Sequence, residues 1–238
     1  MLTQELLKDF LVFLKKPHTT PLILSNKQRF VQTIRLWSCL FIFIIFGGVI
    51  LDSLIDVPMH DRFQEVMDQI GLWGFIGFAV LLGPLLEEIT FRLAMRFQLR
   101  YILIGAIALT LYIVQATSSL MEKFASDGLY YLYSFAAIGL VTFIAICIKY
   151  KKSMASGWVT YFPLIFYVLS FAFAMIHIFN FEEFPLRVIV LAPIITLPQF
   201  ILGLGMGYLR MRFGFWYGCL FHVLNNSFAL SVYLLLGQ

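Results

Sequence analysis

One apolar run of the chain reads Leu-Leu-Glu87-Glu88-Ile-Thr-Phe-Arg92, with two acids and a base where such runs seldom hold any charge. On a helix Glu88 and Arg92 stand four apart on one face, acid before base, the favourable order for an ion pair. Glu87 points about 100° away and has no cation three or four residues off, which leaves it free to take a proton from water as a general base. A second apolar run ends Phe173-Ala-Met-Ile-His177, and a third carries His222-Val-Leu-Asn225-Asn226. His222 and Asn226 share a helix face, and two donors on one rigid helix can hold a developing oxyanion. Each group also has a plainer use, since acids pair with arginines and His or Asn side chains bridge helices in lipid. Asn225 faces elsewhere and reads as structural.

The elements that must carry these groups follow from composition. The chain has 238 residues, 61% hydrophobic and 13% charged, with a mean hydropathy of +0.89, more apolar surface than one water-soluble core can hide. A spanning helix needs roughly 20 mostly apolar residues. Seven stretches qualify: about 33–51, 71–99, 101–120, 129–149, 158–180, 187–209 and 215–236. They are continuous apolar runs without the two-residue alternation of an outer-membrane barrel. The expected fold is therefore all-α, a polytopic membrane helical bundle of about seven transmembrane helices. A charge near mid-bilayer costs about 2.5–3.5 kcal/mol on insertion scales, so charges kept there are paired, functional or both.

Residues 1–32 form an amphipathic N-terminal segment dotted with Lys8, Lys15, Lys16 and Lys27, with no short apolar core of a cleavable signal peptide. Placing it in the cytosol satisfies the positive-inside rule. Of the 17 Lys and Arg residues, only Arg62, Lys123 and Arg187 then fall outside. The outer loops collect Asp52, Asp56, Asp61, Glu65, Asp68, Glu122, Asp127, Glu182 and Glu183. The net charge of +4 thus serves orientation, and no basic groove suggests nucleic acid. Cys39, Cys147 and Cys219 all sit inside spans and show no C-x-x-C spacing. Residues 33–238 read as a single membrane-embedded domain without repeats, so any chemistry happens in or at the edge of the bilayer. Depth is a check: Glu87 lies roughly 13 Å in from Arg96 and His222 roughly 15 Å from Arg212. His177 reaches a comparable depth, about 21 Å, only if its helix starts near Pro163, a favoured first-turn residue.

The motifs together resemble the CPBP intramembrane proteases, the family of the eukaryotic CAAX prenyl endoprotease and its bacterial relatives. The pattern E-E-x-x-x-R matches Glu87, Glu88 and Arg92; F-x-x-x-H matches Phe173 and His177; H-x-x-x-N matches His222 and Asn226. The likeness covers roughly residues 72–100 and 160–230. Gly203, Gly205 and Gly207 look like the family's small-residue helix, and close helix packing explains them. Leu93 stands where many members have Gly, and an added hairpin, about 101–149, separates the first two motifs. Two extra crossings preserve the orientation of His177.

The resemblance implies peptide-bond hydrolysis within the membrane. Glu87, assisted by His177, would activate a water; His222 and Asn226 would stabilise the oxyanion; Glu88 and Arg92 would support the site. No cofactor is expected. Zinc is the alternative, held by Glu87, His177 and His222 as a His₂Glu set, but H-E-x-x-H is absent and Asn226 is a poor ligand. The implied partner is a membrane-associated protein or peptide substrate in the lipid bilayer. Nothing in the residues reports prenyl recognition. The rival functions are a non-catalytic membrane scaffold or bacteriocin-immunity-type protein, and an ion-coupled transporter. A transporter calls for two comparable halves with broken helices, and only Gly83-Pro84 reads as a break. The expected location is a bacterial cytoplasmic membrane.

Overall fold

The computed structural model describes residues 2–54, 62–124, 128–180 and 186–236. The outer-loop acids Asp56, Asp61, Asp127, Glu182 and Glu183 lie outside the described residues, which are mostly helical, with an irregular segment over 16–25 and no strand. Among the described residues, five stretches are long and apolar enough to cross a membrane: Asn26–Ile45, Val66–Met95, Gly128–Lys149, Leu186–Arg212 and Phe215–Leu235. A sixth arises from α7 (Lys151–Thr160) and α8 (Phe162–Met175), bent by 85° with Pro163 in the first turn of α8. That proline start is the one the depth of His177 requires. The seventh expected stretch falls on α5 (Leu99–Phe124), whose apolar part Leu99–Gln115 is shorter.

The stretch expected at 71–99 is divided into sections, the last of them a 3-10 turn, Leu93–Met95. Helix α3 (Arg62–Gly77) contains Gly71 at φ 73°, a left-handed backbone that glycine adopts without strain, so a kink falls at that point. A π-helical turn, Phe78–Leu82, follows, and α4 (Gly83–Phe91) carries the two glutamates. Gly83-Pro84 is thus a continuation of the helix through a wide turn rather than a break. The stretch expected at 187–209 is divided into α9 (Leu186–Ile195) and α10 (Leu197–Arg212) at Thr196, with Pro193 inside α9 and a proline in the first turn of α10. Pro193 and Pro198 lack the N–H groups that would continue the ladder there.

Helix α10 is the axis of the bundle. Nearly all of Leu202–Arg212 is buried, and its glycines face three different neighbours. A Cβ on Gly205 would stand 2.8 Å from Leu40 of α2 (Asn26–Leu54), and one on Gly207 would stand 2.7 Å from Phe166 of α8. Helix α11 (Phe215–Leu236) closes the same cluster through the fully buried Phe221. Helix α5 lies on α4, with Gly105 allowing close approach to the carbonyls of Ile89 and Thr90, while α6 (Gly128–Lys149) packs chiefly on α5.

The N-terminal helix α1 (Thr3–Lys15) is part of this core. The Glu5 carboxylate accepts from Leu2 N–H at 2.6 Å, and the stripe Leu6, Phe10, Phe13 is buried at the i, i+4, i+7 spacing of one helix face. Phe10 and Phe13 meet Tyr208 of α10 edge-on at 5.2 and 5.3 Å. Asp9 accepts from Tyr208 at 2.6 Å and forms an ion pair with Arg212 at 2.7 Å. The expected division at residues 32 and 33 falls within α2.

Candidate active site

Glu88 and Arg92 pair as the helix spacing requires, Oε1 to Nη1 at 3.6 Å, with both side chains fully buried. A second partner comes from α11: His222 Nδ1–H donates to Glu88 Oε1 at 3.2 Å. The other face of the same imidazole meets Glu87, with Nε2 to Oε2 at 3.6 Å. That separation exceeds a hydrogen bond. Glu87 therefore does have a charge partner, and it lies 135 positions along the chain, beyond the reach of a rule about helix neighbours. The two acids differ in access: Glu87 is 19% exposed and Glu88 not at all.

Phe173 joins the second motif to the first and third. Its ring lies 3.8 Å from Cζ of Arg92 and meets His177 and His222 edge-on at 4.9 and 5.7 Å. His177 Nδ1–H donates to the Phe173 carbonyl at 2.8 Å, so its Nε2 presents a lone pair. Glu87 and His222 both act on His177 electrostatically. The site thus gathers Glu87, Glu88, Arg92, His177 and His222 from α4, α8 and α11.

Asn226 is one turn beyond His222 on α11 and is directed to the π-helical turn, where its amide donates to the Ala79 carbonyl at 3.0 Å. The cause is local. Gly83 N–H bonds to Phe78 O in the wide turn, and the next donor in that register, residue 84, is a proline without an N–H. Ala79 is left with a free carbonyl that Asn226 takes. Asn225 donates to Asn226 Oδ1 at 3.4 Å, orienting the amide. That bond to Ala79 uses one of the two Asn226 amide hydrogens.

Several buried polar atoms at the site have no hydrogen-bond partner among the described residues: Oε2 of Glu87 and of Glu88, and all three guanidinium nitrogens of Arg92. No three His, Cys, Asp or Glu side chains among the described residues are gathered so as to hold a metal ion. His222, the central member of the Glu87, His177 and His222 set, has both ring nitrogens turned to carboxylates.

Three contributors went unrecognised in the sequence. A Cβ on Gly218 would sit 3.0 Å from Glu88 Oε2; its position four residues before His222, on the same face, is the available signal. Arg210 donates to the carbonyls of Arg92 and Leu93 at 3.0 and 3.2 Å, closing the end of α4, and only the basic turn hinted at it. The released Ala79 carbonyl has no signature beyond Pro84. Residues 69–228, well over half of the chain, match the family model Rce1-like, described as type II CAAX prenyl endopeptidase Rce1-like. No curated protein and no solved structure matches the chain.

Proposed function

Because this chain belongs to the Rce1-like family of type II CAAX prenyl endopeptidases, we propose that it is a multi-pass membrane endopeptidase with Glu87 as its general base. The observation that supports this most is the asymmetry of the two acids. Glu88 is fully buried between Arg92 and His222, whereas Glu87 is partly accessible and has His222 Nε2 at 3.6 Å, beyond a hydrogen bond.

In this reading a water lies beside Glu87, with the His177 Nε2 lone pair accepting its second hydrogen. Glu87 takes a proton as the water oxygen attacks the scissile carbonyl. Negative charge then develops on the carbonyl oxygen, and His222 Nε2–H and the free Asn226 amide hydrogen stabilise it. His222 then carries hydrogens on both ring nitrogens, so two acids are matched by His222 and Arg92. Collapse of the tetrahedral intermediate breaks the C–N bond, and Glu87 returns its proton to the leaving amine. The reaction needs no metal, because the nitrogen a zinc ion would need on His222 is the one given to the oxyanion. The substrate is a peptide at the membrane, and the N-terminus lies in the cytosol, where most of the cations gather.

The test uses purified protein in proteoliposomes and an internally quenched peptide ending in a prenylated Cys-aliphatic-aliphatic-X sequence, beside the same peptide without the prenyl group. Glu87→Gln should abolish cleavage while keeping the thermal transition, and a chelator should leave the native enzyme's rate unchanged. Full activity in Glu87→Gln would remove Glu87 as the base, and recovery of a chelated enzyme by added zinc would favour the metal reading. Equal rates on the two peptides would show that prenyl recognition is not part of the chemistry.

A further inference from the structure

Phe173 is 1% exposed and lies against residues of all three motifs at the site. Its face covers the Arg92 guanidinium, its ring makes T-shaped contacts with two imidazoles, and its backbone carbonyl holds His177 Nδ1. Phe91 lies against it at 5.7 Å, and its ring is also 5.9 Å from Cζ of Arg92. Arg92 makes no hydrogen bond through its guanidinium among the described residues, and its pairing with Glu88 spans 3.6 Å. A buried cation in that state is attracted to an aromatic face, which carries the negative end of the ring quadrupole.

The space for this stacking is made by a missing side chain. A Cβ on Gly203 of α10 would stand 3.2 Å from Phe173 Cδ1 and 3.3 Å from Arg92 Nη2, tight enough that the ring or the guanidinium would have to shift. Gly203 therefore does more than bring helices together. It sets where the ring lies over the cation.

We propose that Phe173 is a positioning residue of the active site: its ring fixes Arg92, and through Arg92 the Glu88–His222 pair, while its T-shaped ring contact and its carbonyl fix the His177 imidazole. The inference rests on the reading of this site as catalytic. It differs from a packing role in what it demands, since an aliphatic side chain would fill the volume but offer no face to Arg92.

The experiment compares native protein with Phe173→Leu, Phe173→Tyr and Gly203→Ala, read in two ways. In histidine-¹⁵N-labelled protein in nanodiscs, where only 4 histidines contribute, the native His177 and His222 should each give one sharp set of ring signals. Phe173→Leu and Gly203→Ala should broaden or split them, and Phe173→Tyr should keep them sharp. On the peptides above, Phe173→Leu should lower kcat on the order of tenfold or more with KM nearly unchanged, the effect expected of misplaced groups, and Phe173→Tyr should restore most of it. The proposal is overturned if Phe173→Leu leaves both imidazoles sharp, or if Tyr and Leu variants lose rate alike in step with their melting temperatures. Should Phe173→Leu fail to fold, Gly203→Ala carries the same comparison with the aromatic ring retained. The ring signals need no turnover, so loss of the Glu87 reading would show in Glu87→Gln and leave this result standing.

Discussion

Arg212 and Arg92 are both buried arginines facing an acid, and the protein treats them in opposite ways. Arg212 donates from every guanidinium nitrogen: Nε and Nη2 to Asp9 at 3.2 and 2.7 Å, and Nη1 to the Thr20 carbonyl at 2.7 Å. Its own carbonyl accepts from Leu22 N–H. Among the described residues Arg92 has an ion pair at 3.6 Å and the rings of Phe173 and Phe91 at 3.8 and 5.9 Å. Buried polar groups are ordinarily satisfied, and leaving them otherwise is costly. The docked N-terminal helix thus shows what this chain does with a charge when stability is the only demand. Around Glu87, Glu88 and Arg92 the chain departs from that standard, which is the contrast the proposed function draws on.

The comparison breaks most visibly at Arg92. Arg92→Leu leaves Glu88 buried with His222 alone, and the expected loss is about 3–5 kcal/mol, together with cleavage; denaturation in detergent and the peptide assay measure the two. Asp9→Ala should cost about 1–3 kcal/mol by leaving Arg212 and Tyr208 without their acceptor, yet keep kcat. A matching fall in kcat would mean that the two regions are coupled rather than distinct. Pro84→Ala sharpens the contrast differently, because it gives Ala79 a backbone N–H and frees Asn226. Activity should fall roughly tenfold from a lost donor position while the melting temperature holds or rises; joint loss of both would make the Asn226 bond a matter of folding.

The smallest effect concerns His18, which packs edge-on against Phe13 at 5.3 Å. Burial, then the Arg212 charge, lowers its proton affinity below the ordinary histidine value, with Asp9 acting the other way. The unfolded chain therefore binds this proton more readily, so the contribution to stability is present above about pH 6.5 and is lost as pH falls below it. The protection factors of the α1 amides, which remove the pH dependence of chemical exchange itself, should fall across that range, and His18→Gln should flatten the dependence. An unchanged slope in the variant would exclude His18 as its source.

Much of this was legible wherever spacing along one helix decides the outcome. Glu88 with Arg92, the shared face of His222 and Asn226, and the start of α8 at Pro163 all follow from local rules. What stayed hidden is what other elements supply. Glu87 looked unpartnered because its partner is on α11, and the Asn226 bond depends on a π-turn whose one trace is a proline without an N–H. The amphipathic pattern of residues 1–32 shows an apolar face without saying whether lipid or protein covers it; Leu6, Phe10 and Phe13 turn out to meet protein. The span at 187–209 hid a division at Thr196 because hydropathy averages over a kink.

The docking of α1 also has a consequence in time. Asp9 and Arg212 are 203 residues apart, and at ribosomal rates of about 5–20 residues per second that distance takes roughly 10–40 s to synthesise. For that interval the apolar stripe has no Tyr208 to cover it, and the bilayer surface is the nearest apolar phase. The same face can thus serve two hosts in succession, lipid while the chain is being made and α10 once it is complete.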